Sequence, residues 1–166
     1  MPHILGVKVD NLTRRQALVR IGELIKGGGQ HLVTTPNPEM LVAAQSDAEF
    51  RKALNSAALA LPDGVGLMFA ARFLGIPLNQ RIAGSDFVWD VARFSAENGY
   101  TIYLLGAGEG VAQAAGAVLK TQFPMLKIVG VDSGPQYLTP NTYNLTPIHD
   151  AAPDILLVAF GHPKQE

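Results

Sequence analysis

The sequence predicts an α/β fold built on a mostly parallel sheet with helices on both faces. Three observations carry that expectation: short, nearly continuous apolar runs suited to buried parallel strands, amphipathic stretches between them, and Gly- or Pro-rich punctuation where the runs end. The chain has 166 residues, close to the roughly 150 of a typical domain, so one core over residues 1–166 is expected. Hydrophobic residues make up 48% and charged residues 16%, which excludes disorder and leaves a surface poor in charge.

The elements follow in order. Arg14 to Lys26 sets Ala17, Leu18, Ile21, Leu24 and Ile25 on one helical stripe, with Thr13 placed to cap its start and Gly27-Gly28-Gly29 to end it. His31 to Thr34 is a short β-leaning run. A Pro-Asn-Pro turn comes next, then two short helical patterns around Met40, Leu41 and Ala44 and around Phe50 and Leu54. Ala58 to Leu61 leads into Pro62-Asp63-Gly64, and Ser85 to Glu97 reads as a helix burying Phe87, Val88, Val91 and Phe94, stopped by Asn98-Gly99. Tyr100 to Leu105 is the clearest buried strand. It opens into Gly106-Ala107-Gly108 and a helix whose inner stripe is expected at Val111, Ala115, Val118 and Leu119. Lys127 to Val131 and Ile155 to Phe160 complete the strands, with a weak helix near Tyr143 to Ala151 between them. The alternation is that of a Rossmann-like sheet.

Charge and composition remove several classes of function. The 13 Lys and Arg nearly cancel the 14 Asp and Glu, leaving a net charge of -1, so there is no electrostatic footprint for nucleic acid. With 0 Cys, disulfides, thiol catalysis and zinc-thiolate sites are excluded, and a cytoplasmic setting is the default. MPHILGVKVD lacks the pattern of a secretory signal, and the longest apolar run, Ile155 to Phe160, falls far short of the roughly 20 residues that cross a bilayer. The chain stops at Glu166 just after a strand and its loop, where an α/β unit would run on into a helix, so a truncated polypeptide is expected.

In an open parallel sheet, ligands bind beyond the carboxyl ends of the strands, which directs attention to the strand-exit loops. Gly106, Gly108 and Gly110 follow a strand and open a helix, so backbone N–H groups and the helix dipole could approach a phosphate. The dinucleotide pattern would want a third glycine at Val111, while Asp132, ending the next strand, stands where a ribose-binding acid is expected. A nicotinamide oxidoreductase therefore stays open as an alternative, as does a tight turn that simply requires small residues. Asp63, between a rigid proline and a permissive glycine, suits a general base that deprotonates a hydroxyl, although Pro-Asp-Gly is also ordinary turn chemistry. Thr35, Asn37 and Glu39 offer hydroxyl, amide and carboxylate groups for a hydroxyl-rich ligand, and Pro38 equally fits a capped helix start. Arg81 and Lys164 could neutralise charge on a departing diphosphate or be plain surface cations.

The four histidines, His3, His31, His149 and His162, are scattered, and there is no H-E-x-x-H, so no metal site is expected. No Asp-x-Asp pair, Gly-x-Ser-x-Gly elbow or P-loop is present, which argues against a metal-held diphosphate, an α/β hydrolase and an NTPase.

Taken together, TPNPEM at 35–40, LPDGVGL at 61–67, RIAGSDF at 81–87, IYLLGAG at 102–108, KIVGVDSG at 127–134 and FGHPKQE at 160–166 resemble the WecG/TagA/CpsF glycosyltransferases of bacterial surface polysaccharide synthesis. The resemblance runs over nearly the whole chain. It implies an inverting transferase that moves an N-acetylmannosamine-type sugar, or its uronic acid, from a UDP donor to polyprenyl-diphosphate-linked N-acetylglucosamine, as in wall teichoic acid or enterobacterial common antigen. It also implies that Asp63 is the base, that Thr35, Asn37, Arg81 and Gln165 position substrate with Lys164 beside them, and that Gly106 and Gly108 face the nucleotide with Asp132 on the same rim. No metal cofactor is implied. Family members continue past Pro-Lys-Gln-Glu into a basic C-terminal segment thought to help bind the diphosphate and to dock on the inner face of the cell membrane. Its absence here leads us to expect a folded core with little activity alone. A non-catalytic nucleotide-binding module is the remaining alternative, and the charge-poor surface permits a homo-oligomer.

Overall fold

Thr13 begins the first helix as its sequence requires. In a computed structural model that describes residues 2–134, 144–163 and 165, the chain divides into two compact units, Met1–Val88 and Trp89–Gln165. The first opens with a hairpin absent from the sequence expectations, β1 (His3–Ile4) against β2 (Val7–Lys8), turned by Leu5 and Gly6 at positive φ. Helix α1 (Arg14–Gly27) starts with a capping box: the Gln16 N–H donates to Thr13 Oγ1 at 3.3 Å, and the Thr13 N–H donates to Gln16 Oε1 at 2.9 Å. Ala17 and Ile21 are buried, and Leu18, Leu24 and Ile25 are half-buried, so the stripe faces inward as the spacing predicts.

Strand β3 (Val33–Thr34), helices α2 (Pro38–Ser46) and α3 (Ala48–Ser56), strand β4 (Leu59–Ala60) and helix α4 (Val65–Phe73) complete this unit before α5. The two strands pair in parallel, Val33 with Leu59 and Thr34 with Ala60, and are shorter than the apolar runs that contain them. Met40, Leu41, Phe50 and Leu54 pack with Ile4, Val7, Val9 and Leu67 in one core, which is why the two helices must turn sharply at Asp47, whose carboxylate caps α3 by accepting from the Phe50 N–H at 2.9 Å. Helix α4 is a second element the sequence reading did not supply. VGLMFAARF is apolar on nearly every side, so it has no period to betray it.

Helix α5 (Gly84–Asn98) is one residue longer at each end than the predicted span. Phe87 and Val91 are buried, whereas Val88 and Phe94 are half-buried. Within α5 the chain passes from one unit to the other.

The second unit holds β5 (Thr101–Gly106), α6 (Val111–Gln122), β6 (Lys127–Asp132), α7 (Thr146–Ala151) and β7 (Ile155–Ala159). The strands form a parallel sheet in the order β6-β5-β7, with Ile102, Tyr103, Leu104 and Leu105 of the central strand buried. This is the α/β architecture the alternation predicts. The expected inner stripe of α6 is a correction: Val111 and Val118 are exposed and Ala115 with them, while Ala112, Gly116 and Leu119 face in. Small residues let the helix lie close to the sheet; a Cβ on Gly116 would stand 3.3 Å from Leu104 Cδ1 and 3.6 Å from Ile128 Cδ1. The predicted helix near Tyr143 to Ala151 is present as α7, and Tyr143 itself lies outside the described residues.

Candidate active site

In the first unit the parallel ladder continues past the ends of β3 and β4. The Leu61 N–H donates to Thr34 O at 2.8 Å and the Asp63 N–H to Pro36 O at 2.9 Å, so the Thr35–Asn37 and Pro62–Gly64 segments run side by side. The Ile82 N–H donates to Pro62 O at 2.7 Å, which sets Arg81 next to the same segment. One carboxylate oxygen of half-buried Asp63 accepts the Gly84 N–H at 3.2 Å. The Thr35 hydroxyl adjoins the same glycine, since a Cβ on Gly84 would lie 3.1 Å from Thr35 Oγ1. Thr35, Asp63 and Gly84 are thus held as one cluster.

Asn37 closes it from the other side. Its Oδ1 accepts the Met40 N–H at 2.9 Å, the helix-cap role that Pro38 at the first helical position also indicates. Gly64, at φ +89°, sits so close to α2 that a Cβ there would be 2.9 Å from Pro38 Cδ. The starts of α2, α4 and α5 therefore meet around Asp63. Each contributes the partial positive charge of a helix N-terminus, an arrangement that suits an anion. Glu39 is exposed in the first turn of α2. Arg81 is exposed, and its guanidinium has no hydrogen-bond or ion-pair partner among the described residues.

Two groups that support this corner were missed from sequence. Lys8 and Asp10 are both buried, 3.7 Å apart. Lys8 Nζ donates to the Ala57 and Ala58 carbonyls at 2.8 and 3.3 Å, and Asp10 Oδ2 accepts the Ala60 N–H at 2.8 Å. They hold β4 three residues before Asp63. The alternation of Val7 and Val9 with Lys8 and Asp10 reads as a strand with a wet face, and only the tertiary fold covers it. Gly84, inside RIAGSDF, is marked in the sequence only by its place ahead of an apolar period, which suits a helix start.

The second unit presents a rim of different character. The strand order reverses at β5, so the loops following β5 and β7 flank the switch point at which α/β sheets bind ligands. Gly106 has φ +104° and no room for a side chain: a Cβ would be 2.7 Å from Ala159 O. The Ala107 N–H donates to that same carbonyl at 2.8 Å. Gly108 instead faces open space, and Gly110 precedes α6 with no side-chain cap. Gly106 is thus explained by strand packing, while Gly108, Gly110 and the start of α6 leave backbone N–H groups for a ligand. Asp132 Oδ1 accepts the Gly134 N–H at 2.8 Å, turning the chain at the end of β6. Gln165 Oε1 accepts the Gly161 N–H at 3.1 Å, folding the segment after β7 onto itself. Lys164 lies outside the described residues. Tyr103, buried below this rim, has its phenol pKa raised above the usual 10.0 by burial and by the negative charge of Asp132.

One unit therefore offers an oriented carboxylate with a hydroxyl, an amide and a cation near it, and the other a glycine-lined strand exit suited to phosphate. Among the described residues, no three His, Asp or Glu gather to hold a metal ion, and no helix is long and apolar enough to cross a membrane.

The chain belongs to the glycosyl transferase WecG/TagA/CpsF family, whose model matches residues 2–166. It is similar to the N-acetylglucosaminyldiphosphoundecaprenol N-acetyl-beta-D-mannosaminyltransferase of Bacillus subtilis strain 168, with 32% identity over 135 residues, 81% of this chain and 52% of the relative. The enzyme of the same name from Bacillus spizizenii is 30% identical over 134 residues, 81% of this chain and 51% of the relative. That of Staphylococcus aureus MRSA252 is 29% identical over 165 residues, 98% of this chain and 64% of the relative. The chain thus spans between about half and somewhat under two thirds of these relatives.

Proposed function

We propose that the chain forms the core of an inverting glycosyltransferase that moves an N-acetylmannosamine-type sugar from a UDP donor to polyprenyl-diphosphate-linked N-acetylglucosamine in bacterial cell-surface polysaccharide synthesis. The observation that carries this reading is the Asp63 carboxylate, oriented by the Gly84 N–H beside Thr35 where three helices begin. The relatives' names, which specify a mannosaminyl group and a lipid-diphosphate acceptor, support it.

In the proposed reaction an acceptor hydroxyl oxygen attacks the anomeric carbon of the donor sugar. As that C–O bond forms, the bond from the anomeric carbon to the diphosphate breaks on the opposite face, which inverts the configuration. Asp63 takes the hydroxyl proton, an assistance typically worth about 10²–10⁴-fold in rate. The negative charge on departing UDP is met by Arg81, Lys164 and backbone N–H groups, without a divalent metal. Gly108, Gly110 and the start of α6 take the nucleotide phosphates, with Asp132 and Gln165 on the same rim. Thr35 orients sugar hydroxyls. Asn37 does so through the amide nitrogen, since its oxygen is committed to α2. The enzyme works at the inner face of the membrane, where its acceptor resides.

Isothermal titration with UDP and with NADH tests the reading against the oxidoreductase alternative, and the anomeric configuration of the product tests inversion. Binding of UDP without NADH, and an inverted product, are expected. NADH binding or a retained configuration would overturn it.

A further inference from the structure

Arg81 stands between anchored neighbours. On its N-terminal side the Asn79 N–H donates to Asn11 Oδ1 at 2.6 Å, and Gln80 Oε1 accepts the Arg14 N–H at 2.9 Å. On its C-terminal side the Ile82 N–H donates to Pro62 O at 2.7 Å and the Gly84 N–H to Asp63 Oδ2 at 3.2 Å. Residues 79–84 are thus tied at one end to the start of α1 and at the other to the Asp63 corner, all within the first unit. Gln80 is half-buried, whereas Arg81 is exposed and its guanidinium has no partner among the described residues. Asp86, the acid in the first turn of α5, is already engaged, with its Oδ2 3.2 Å from Arg14 Nη2. That ion pair is 34% and 54% exposed at its two side chains, so it adds little to stability. Its consequence is to occupy a carboxylate five residues from Arg81.

We propose that Gln80 is a positioning residue for Arg81: its amide oxygen, together with Asn11, fixes the backbone that presents the guanidinium, while Arg14 holds the Asp86 carboxylate and so leaves the cation available to an anion. The inference rests on the function proposed above, in which Arg81 meets the charge on departing UDP, and adds the groups that prepare it for that task. A long side chain loses rotamer freedom when it binds, and a backbone already fixed on both sides removes the rest of the ordering cost before the ligand arrives. A guanidinium already paired with a carboxylate would have to give up that charge-assisted bond first. The competing reading makes Gln80 only an outside cap for α1. Arg14 is the first residue of that helix, and its N–H has no acceptor within it. The helix nevertheless carries its own complete capping box at Thr13 and Gln16.

The test is a double-mutant cycle read by titration with UDP, with uridine as the control that lacks phosphate. Arg81→Ala is expected to weaken UDP about tenfold or more and to leave uridine unchanged. Gln80→Ala should weaken UDP at least about twofold when Arg81 is present and have no effect in the Arg81→Ala background. Asn11→Ala should behave in the same way, and it breaks the tie without removing the acceptor of the Arg14 N–H. A reading without ligand comes from amide relaxation: the order parameter at Arg81 should fall in Gln80→Ala from about 0.85 toward the flexible range below about 0.6, with Asp63 unchanged. No weakening of UDP, or equal weakening with and without Arg81, would reduce Gln80 to a cap on α1 and overturn the proposal while leaving the proposed function standing. An Arg81 amide that stays ordered in Gln80→Ala, or loosening that reaches Asp63 equally, would do the same. An Arg81→Ala chain that binds UDP as well as the original would remove Arg81 from the donor site, and this proposal with it. Failure of the original chain to bind UDP would remove the donor reading as well.

Discussion

The two strand-exit rims solve the same problem by opposite means. Around Asp63 the strands are only two residues long, and position is enforced by a net of short hydrogen bonds between loops and helix starts, so that what this rim holds in place is a set of side chains. At the second rim β5 is six residues long and buried, and the glycine loop that follows it exposes backbone rather than side chains. The contrast teaches that a group acting by proton transfer needs its side chain fixed from several directions. A phosphate site needs mainly the absence of side chains.

The largest effect is expected where the second rim is tightest. Gly106→Ala forces a Cβ to within 2.7 Å of Ala159 O at φ +104°, adding about 1–3 kcal/mol of backbone strain and about 1–3 kcal/mol of overpacking. Thermal or urea unfolding should show that loss. Gly108→Ala has open space and should cost only its positive-φ strain, roughly 1–2 kcal/mol. Equal costs at the two positions would erase the distinction between packing glycine and ligand-facing glycine.

At the first rim, Asn37→Ala should cost about 1 kcal/mol through loss of the α2 cap, and Asn37→Ser should restore most of it. Serine cannot supply the amide nitrogen. Melting should therefore recover in Asn37→Ser while KM for the sugar does not, and recovery of both would reduce Asn37 to a cap.

The smallest effect is electrostatic. Because Tyr103 has a raised folded pKa, the unfolded chain ionises first as pH climbs through about 10, so stability is unaffected below that pH and falls above it. Tyr103→Phe should flatten this alkaline decline, measured as urea midpoints across the range. Asp132→Asn should lower the phenol pKa modestly, seen in phenolate absorbance, since burial is the larger cause.

Legibility in sequence followed the physics of each element. α1 was readable because cap, period and stop agree within one segment, and β5 because its apolar run is unbroken and ends on a glycine. Helix α4 was invisible because it is apolar around its circumference. The α6 stripe was misassigned because Ala and Gly, not the larger valines, face the sheet. The exit loops revealed which residues are chemically able, Asp63 and Thr35 among them. They could not reveal that Gly84 and the buried Lys8 and Asp10 hold that corner, because those bonds join positions 21 to 50 residues apart.

The central claim, that Asp63 accepts the proton of the attacking hydroxyl, is tested most directly by the transfer rate of Asp63→Asn in a polypeptide of the relatives' full length, with UDP affinity measured alongside. Asparagine keeps an oxygen for the Gly84 N–H and loses only the ability to take a proton. The account predicts a fall in kcat of about 10²–10⁴-fold with melting and UDP affinity unchanged. A variant that still transfers sugar at the original rate would contradict it.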